Sequence, residues 1–293
     1  MVDRTVTGEP GGLRTMLRAA LPVLPGVQLV PGLAKDGAAK GRLPDLTLHR
    51  ADVVVDPAHV AAYAEVCGFE PTEALPLTYP HMLAFGLHME LMTDRSFPYP
   101  AIGTVHLANA ITQHRALAVT ERLDVSATAR DLRPHPKGTA FDLVTTVRAG
   151  DETVWESTST YLRVGRGDAP AAAPPDFETV AGTGLTWRLP GDLGRRYASV
   201  SGDHNPIHLY PLTARAFGFK RQIAHGMWTK ARSVATFANR LGEAATVEVQ
   251  FKKPVFLPGT VAFGSRTVEE GLDFSLTDPR SGKPHLLGRA RRR

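Results

Sequence analysis

At 293 residues the chain is long enough for one large domain or two of ordinary size, and 43% apolar with 22% charged residues is the balance of a folded globular protein. No apolar run approaches the ~20 residues needed to span a bilayer, and a single cysteine, Cys67, excludes an intrachain disulfide. The formal charge is +5, but four of the 34 basic residues (Arg289, Arg291, Arg292 and Arg293) lie in the last five positions. The rest of the chain is near +1, which speaks against a nucleic-acid-binding face and predicts a solvated basic tail.

From the N-terminus, Met16-Leu-Arg-Ala-Ala-Leu-Pro-Val-Leu-Pro25 predicts a short helix running into a surface loop. Its prolines break the apolar core, and Asp3 and Glu9 sit where a secretory leader carries basic residues. The expected compartment is the cytoplasm. Tyr63-Ala-Glu-Val-Cys-Gly-Phe-Glu-Pro71 is followed by His81 to Met92, apolar nearly all round as a buried helix is. Strands are predicted at 103–109, 123–128, 141–147 and 153–162, with a hairpin turn at Gly150. A Pro/Ala/Gly-rich stretch over 165–184 reads as a linker.

The pattern then repeats. Tyr197-Ala-Ser-Val-Ser-Gly-Asp-His-Asn-Pro206 shares the frame Tyr-Ala-x-Val-x-Gly with the segment at Tyr63. Met227, Ala231, Val234, Ala235, Ala238 and Leu241 fall at helical spacing and predict one helix over 227–241. Strands follow at 245–251, 260–265, 272–277 and 284–291, with a turn at Ser281-Gly282. The domains expected are an extension over 1–44, a first repeat over 45–164, the linker over 165–184 and a second repeat over 185–293. Each repeat is a central helix wrapped by antiparallel strands, an α+β fold.

Only the second repeat packs a carboxylate, a carboxamide and an imidazole into six residues, Asp203, Asn205 and His208. Pro206 pushes Asn205 towards an extended backbone and suits the first turn of a short helix. Such a bend sets Asp203 and His208 on one side of a pocket, where they can share acid/base work on a water that Asn205 helps to fix. Gly226 would open the central helix, whose first N–H groups are unpaired and carry the positive end of the helix dipole, so that a thioester oxygen can be held there. Three other readings stand beside this one. Asp and Asn-Pro are common turn residues. His204 and His208, at i,i+4 spacing with His225 beyond, are a metal-site alternative, disfavoured because cysteine ligands are lacking. A Ser-His-Asp hydrolase lacks its Gly-x-Ser-x-Gly elbow.

Tyr-Ala-x-x-Ser-Gly-Asp-x-Asn-Pro-Ile-His (197–208), then Ala214, Ala216 and Gly218-Phe219, then Ile223-Ala-His-Gly-Met227, resembles the MaoC-like R-specific enoyl-CoA hydratases, or hydratase 2. The strand and turn at Phe251-Lys-Lys-Pro-Val-Phe-Leu-Pro-Gly-Thr260 are similar too. Leu75-Pro-Leu-Thr-Tyr-Pro-His-Met82 and Phe97-Pro-Tyr-Pro100 resemble the degenerate half of mycobacterial-type 3-hydroxyacyl-thioester dehydratases.

The resemblance implies a double hot-dog fold and reversible syn hydration of a trans-2-enoyl thioester of CoA or a carrier protein. It implies Asp203 and His208 as the catalytic pair, Asn205 as their partner and Gly226 as the oxyanion donor. His225 and Met227, flanking Gly226, are the expected substrate contacts, and Lys252 and Lys253 are placed to meet CoA phosphates. Phe69 stands where Asp203 does, so the first repeat is expected to be inert and His81, His88, His106 and His114 structural. No cofactor, metal, membrane or nucleic acid is called for, and a homodimer is compatible with the pattern. The alternatives are a non-catalytic acyl-thioester-binding protein and a hot-dog thioesterase.

Overall fold

The computed structural model describes residues 2–7, 41–167 and 177–293. The helix expected over 16–25, most of the extension over 1–44 and half of the linker lie outside the described residues. Among the described residues no helix is long and apolar enough to cross a membrane.

Packing divides the chain into two compact units. The first comprises Met1–Val54, His81–Leu107 and Arg122–Pro174. The second comprises Val55–Pro80, Ala108–Glu121 and Pro175–Arg293, so it takes two segments from the linear first half.

In the first unit, strands β1 (Val2–Thr5), β2 (Leu46–Val54), β4 (Arg122–His135), β5 (Gly138–Ala149) and β6 (Glu152–Val164) follow one another in that order. β1 runs parallel to β2, and the rest pair antiparallel. Along β5, Phe141, Leu143, Thr145 and Val147 are buried and alternate with half-buried residues, the period of a sheet with one face on a core. Helix α2 (Pro80–Thr93) packs within this unit, with Ala84, Leu87, His88 and Leu91 fully buried. A buried imidazole needs a polar partner, and His88 finds one in Thr145 Oγ1 on β5 at 2.7 Å. Burial pushes the His88 imidazole down to about 4, so it is neutral.

In the second unit the order is β3, β8, β11, β10, β9, β7, where β3 (Thr104–Gln113) enters through its second part, Ala108–Gln113. The others are β7 (Leu185–Leu189), β8 (Ala245–Phe251), β9 (Gly259–Val268), β10 (Gly271–Thr277) and β11 (Pro284–Arg292). All five ladders are antiparallel. Gly288 on β11 lets Phe274 of β10 lie across it, since a Cβ there would come within 2.3 Å of the Phe274 ring.

The central helix of this unit is α6 (Gly226–Ala235), with Ala231, Val234 and Lys230 fully buried. Lys230 Nζ donates to Asn109 Oδ1 (2.5 Å), Asn109 O (3.3 Å) and Val247 O (2.9 Å). Burial holds this amine well below the usual lysine range.

Two expectations are corrected. The helix expected over 227–241 stops at Ala235, because Phe237 leaves helical backbone at φ −137°, and a short 3₁₀ turn covers Ala238–Arg240. The C-terminal arginines are not a loose tail, although Arg292 and Arg293 are exposed. β11 extends to Arg292, Arg289 pairs with Glu248 at 2.5 Å, and Arg291 pairs with Asp273 at 2.7 Å.

Candidate active site

The site is built where helix α3 (Leu193–Ser201) ends. Gly202 adopts φ 71°, left-handed backbone that glycine tolerates best, and its N–H closes the helix on Ala198 O. Helix α1 (Pro57–Cys67) ends the same way at Gly68, with φ 76°. The two Tyr-Ala-x-Val-x-Gly frames therefore make the same helix end, and their tyrosines touch: the Tyr63 and Tyr197 ring centroids are 6.4 Å apart. The next residue differs. Phe69 is buried against Tyr63, whereas the Asp203 side chain keeps 27% of its surface exposed.

A tight turn follows. Asp203 Oδ1 accepts from Asn205 N at 3.1 Å, and Asn205 Oδ1 accepts from Ile207 N at 3.4 Å. Asn205 is thus the N-cap of α4 (Pro206–Leu209), with Pro206 in the first turn. Its amide oxygen accepts this backbone N–H, and its amide nitrogen is available to reach a water.

The α4 turn buries His208. Its Nδ1 donates to Ile223 O at 2.9 Å, while Ile223 N donates to Ile207 O at 3.1 Å. This fixes the tautomer: the hydrogen is on Nδ1, and Nε2 keeps its lone pair. Burial lowers the His208 pKa, and the Asp203 carboxylate and Ile223 O oppose that in part. Gly194 makes the packing possible, because a Cβ there would sit 1.9 Å from His208 O.

His225 completes the cluster. Its ring stacks on His208 with centroids 3.7 Å apart and planes at 28°, and its Nε2 donates to Asp203 O at 2.9 Å. Nε2 also lies 3.8 Å from Asp203 Oδ2. Burial, then the neighbouring His208, push His225 down to about 3, so it is neutral. Its Nδ1 is buried with no hydrogen-bond partner among the described residues. Tyr197 packs against the same ring at 4.9 Å.

Asp203, His208 and His225 offer ligand atoms within 4.8 Å of one another. Distance alone would suit a metal ion, but the bonding does not. His225 Nε2 carries the hydrogen given to Asp203 O, and imidazoles lying face to face aim their in-plane lone pairs alongside each other, where a tetrahedral ion needs them to converge. His204, the remaining member of the metal alternative, is exposed.

Gly226 begins α6 directly after His225, with no capping side chain, so the first-turn N–H groups are free of a side-chain acceptor. The absence of a side chain also serves packing: a Cβ at Gly226 would meet the Phe251 ring at 3.1–3.3 Å. Met227 is buried. Lys252 and Lys253 are exposed beyond the end of β8, and Lys252 N is held by His285 O at 2.8 Å. Neither ammonium pairs with a carboxylate among the described residues. A separate cleft of about 400 Å³ is lined by Trp187, Arg196, Trp228 and Arg232 among others, but not by Asp203, His208 or Gly226.

Gly194 lies outside every motif, and Tyr197 and Ile223, though inside the motifs, play parts that the motifs did not announce. Gly194 is a glycine inside a helix, and that is its only mark in the sequence. Ile223 acts through its carbonyl, and Tyr197 supplies a wall for His225.

A MaoC like domain matches residues 176–277. The 3-hydroxyacyl-thioester dehydratase X of Mycobacterium tuberculosis is 38% identical over 286 residues, which covers 97% of this chain and 99% of that protein. The crystal structure of HtdX from Mycobacterium tuberculosis is similar with a TM-score of 0.76 and 38% identity, covering 84% of this chain and all of that one (100%). A conserved hypothetical protein from Mycobacterium tuberculosis described as a double hot-dog fold gives a TM-score of 0.51 at 15% identity, over 82% of this chain and 92% of that one. The chain belongs to the MaoC-like family. Its fold is the double hot dog, as the repeated helix-and-sheet pattern led one to expect.

Proposed function

We propose that this chain is a hydro-lyase, an R-specific enoyl-thioester hydratase that also runs as a (3R)-hydroxyacyl-thioester dehydratase. The observation that carries the reading is the His208 tautomer. With Nδ1–H committed to Ile223 O, the buried neutral imidazole presents Nε2 as a base in the same cluster as the Asp203 carboxylate. The near full-length relationship to a 3-hydroxyacyl-thioester dehydratase supports the same chemistry.

In hydration, Asp203 and His208 Nε2 hold a water and take one of its protons as the oxygen attacks C3 of the enoyl thioester. Charge moves to the thioester oxygen, which the Gly226 N–H at the start of α6 receives. The proton then goes to C2 from the same face, so water is added syn and both groups return to their starting states. Dehydration is the reverse. His225 holds the Asp203 backbone and walls off one face of His208. Asn205 holds the turn and offers its amide nitrogen to the water. Met227 supports the first turn of α6 below the acyl group, and Lys252 and Lys253 meet the CoA phosphates. The buried single cysteine agrees with a reducing cytoplasm.

The test is the product formed from crotonyl-CoA. Loss of the enoyl absorbance without release of thiol is expected. Release of free CoA would make the chain a thioesterase, and unchanged substrate bound to protein would make it a binding protein.

A further inference from the structure

Between His208 and Ile223, the two residues joined by the Nδ1···O bond, the chain makes an excursion whose outer face the fold does not use. It holds helix α5 (Pro211–Ala216), in which only Ala214 is buried. The excursion is held from within. Thr213 Oγ1 donates to Pro206 O at 2.6 Å, Ala214 O accepts from Phe217 N and Phe219 N, and Arg215 Nε donates to Lys220 O at 3.2 Å.

Outside, Tyr210 is 51% exposed, Leu212 77% and Phe217 36%. Among the described residues these include the only exposed large aromatic side chains. Scattered apolar residues on a surface are ordinary, but here three large ones are exposed within eight positions of one short excursion. It is also basic: Arg215, Lys220 and Arg221 are exposed and pair with no carboxylate among the described residues. Arg195 lies over the Tyr210 ring at 4.8 Å and Arg221 over the Phe256 ring at 5.9 Å. From 204 to 242 the sequence contains no aspartate or glutamate.

Resting on the function proposed above, we propose that this face docks an acidic acyl carrier protein, which delivers its thioester on a phosphopantetheine arm to Asp203 and His208. Exposed apolar side chains beside unpaired cations suit a protein face of opposite charge. A free nucleotide would instead need a concave phosphate site, and the lysines given that task, Lys252 and Lys253, lie beyond β8, in another part of the chain. Leu212 and Lys220 are exposed and their side chains make no hydrogen bond or ring contact among the described residues, so these two can be replaced without unfolding the protein.

The experiment compares crotonyl-CoA with a crotonyl group carried on an acidic bacterial acyl carrier protein, using the full chain and its Leu212→Glu and Lys220→Glu variants. For the carrier substrate, kcat/KM is expected to fall by about 10-fold or more, mainly through KM, and to weaken with added salt in the parent protein. Turnover of crotonyl-CoA should stay within about two-fold, which also shows that the variants are folded. Equal losses on both substrates, or no loss on either, would overturn the docking face. So would a parent protein that hydrates crotonyl-CoA but ignores the carrier substrate, while leaving the proposed function intact. Failure of the parent on both substrates would instead remove the function itself.

Discussion

His208 and His225 stack face to face with ring centroids 3.7 Å apart, and each spends one ring nitrogen on a backbone carbonyl, Ile223 O and Asp203 O. The pair orders the site. His225 grips the residue that bears the carboxylate, and His208 is left with one free lone pair. Burial disfavours a charge on either ring, and His208 adds to this at His225, so both are neutral at neutral pH.

The buried imidazoles predict how stability depends on pH. His225 is pushed down to about 3 and His88 to about 4, against an ordinary value of 6.5. Between those limits the unfolded chain binds more protons than the folded one, so stability is complete above about 6.5 and is lost as pH falls towards 4. Carboxylates that the fold stabilises, such as Asp94 and Asp273, act below that window. Thermal melts from pH 7.5 to 4.5 should show Tm falling below about 6.5, with a shallower fall in His88→Gln and His225→Asn proteins. An unchanged slope in both variants contradicts the assignment.

Gly194→Ala should be far more harmful than an alanine in a helix ordinarily is. The new Cβ meets His208 O at 1.9 Å, a backbone atom that cannot swing away. Overpacking of this kind costs about 1–3 kcal/mol, and the shift falls on the turn that aims Nε2. Turnover should drop about 10²-fold or more, the scale of a misplaced reacting group, with KM little changed. Near-normal turnover would mean that α3 slides without disturbing His208.

Lys230→Met should destabilise the second unit. It removes the donor that Asn109 Oδ1, Asn109 O and Val247 O share in the buried core, a change of about 1–3 kcal/mol. Denaturant melts read this directly. A variant as stable as the parent would show that the methionine's apolar packing offsets the lost bonds.

Charge reversal at Lys252 and Lys253 should raise KM for crotonyl-CoA while sparing crotonyl-pantetheine, which has no phosphates. Equal effects on both esters would remove these lysines from the nucleotide contact.

Much of the fold could be read in advance because its signals are local. Alternating burial on β5, the glycine turns at Gly150 and Gly282, and the doubled Tyr-Ala-x-Val-x-Gly frame each depend on neighbours in sequence. What escaped was non-local. Arg289 and Arg291 look like a loose tail until Glu248 and Asp273, far back in the chain, are brought beside them. Helix α6 ends early although the apolar spacing runs on, because Phe237 turns inward to pack on Phe263 and Phe274. At the site the motif supplied residue types, whereas the tautomer of His208 depends on Ile223 O, a backbone atom that no motif displays. Asn205 carried a double meaning in the sequence, cap and chemistry, and the structure uses its oxygen for the cap.

The most direct measurement is hydration of crotonyl-CoA by the Asp203→Asn protein, with folding checked by its melting curve. Asparagine keeps the shape of the side chain but neither accepts nor returns a proton. Turnover at least ~10²-fold below the parent is expected, the usual loss on removing a general acid/base. A folded Asp203→Asn protein with near-normal turnover would contradict the account.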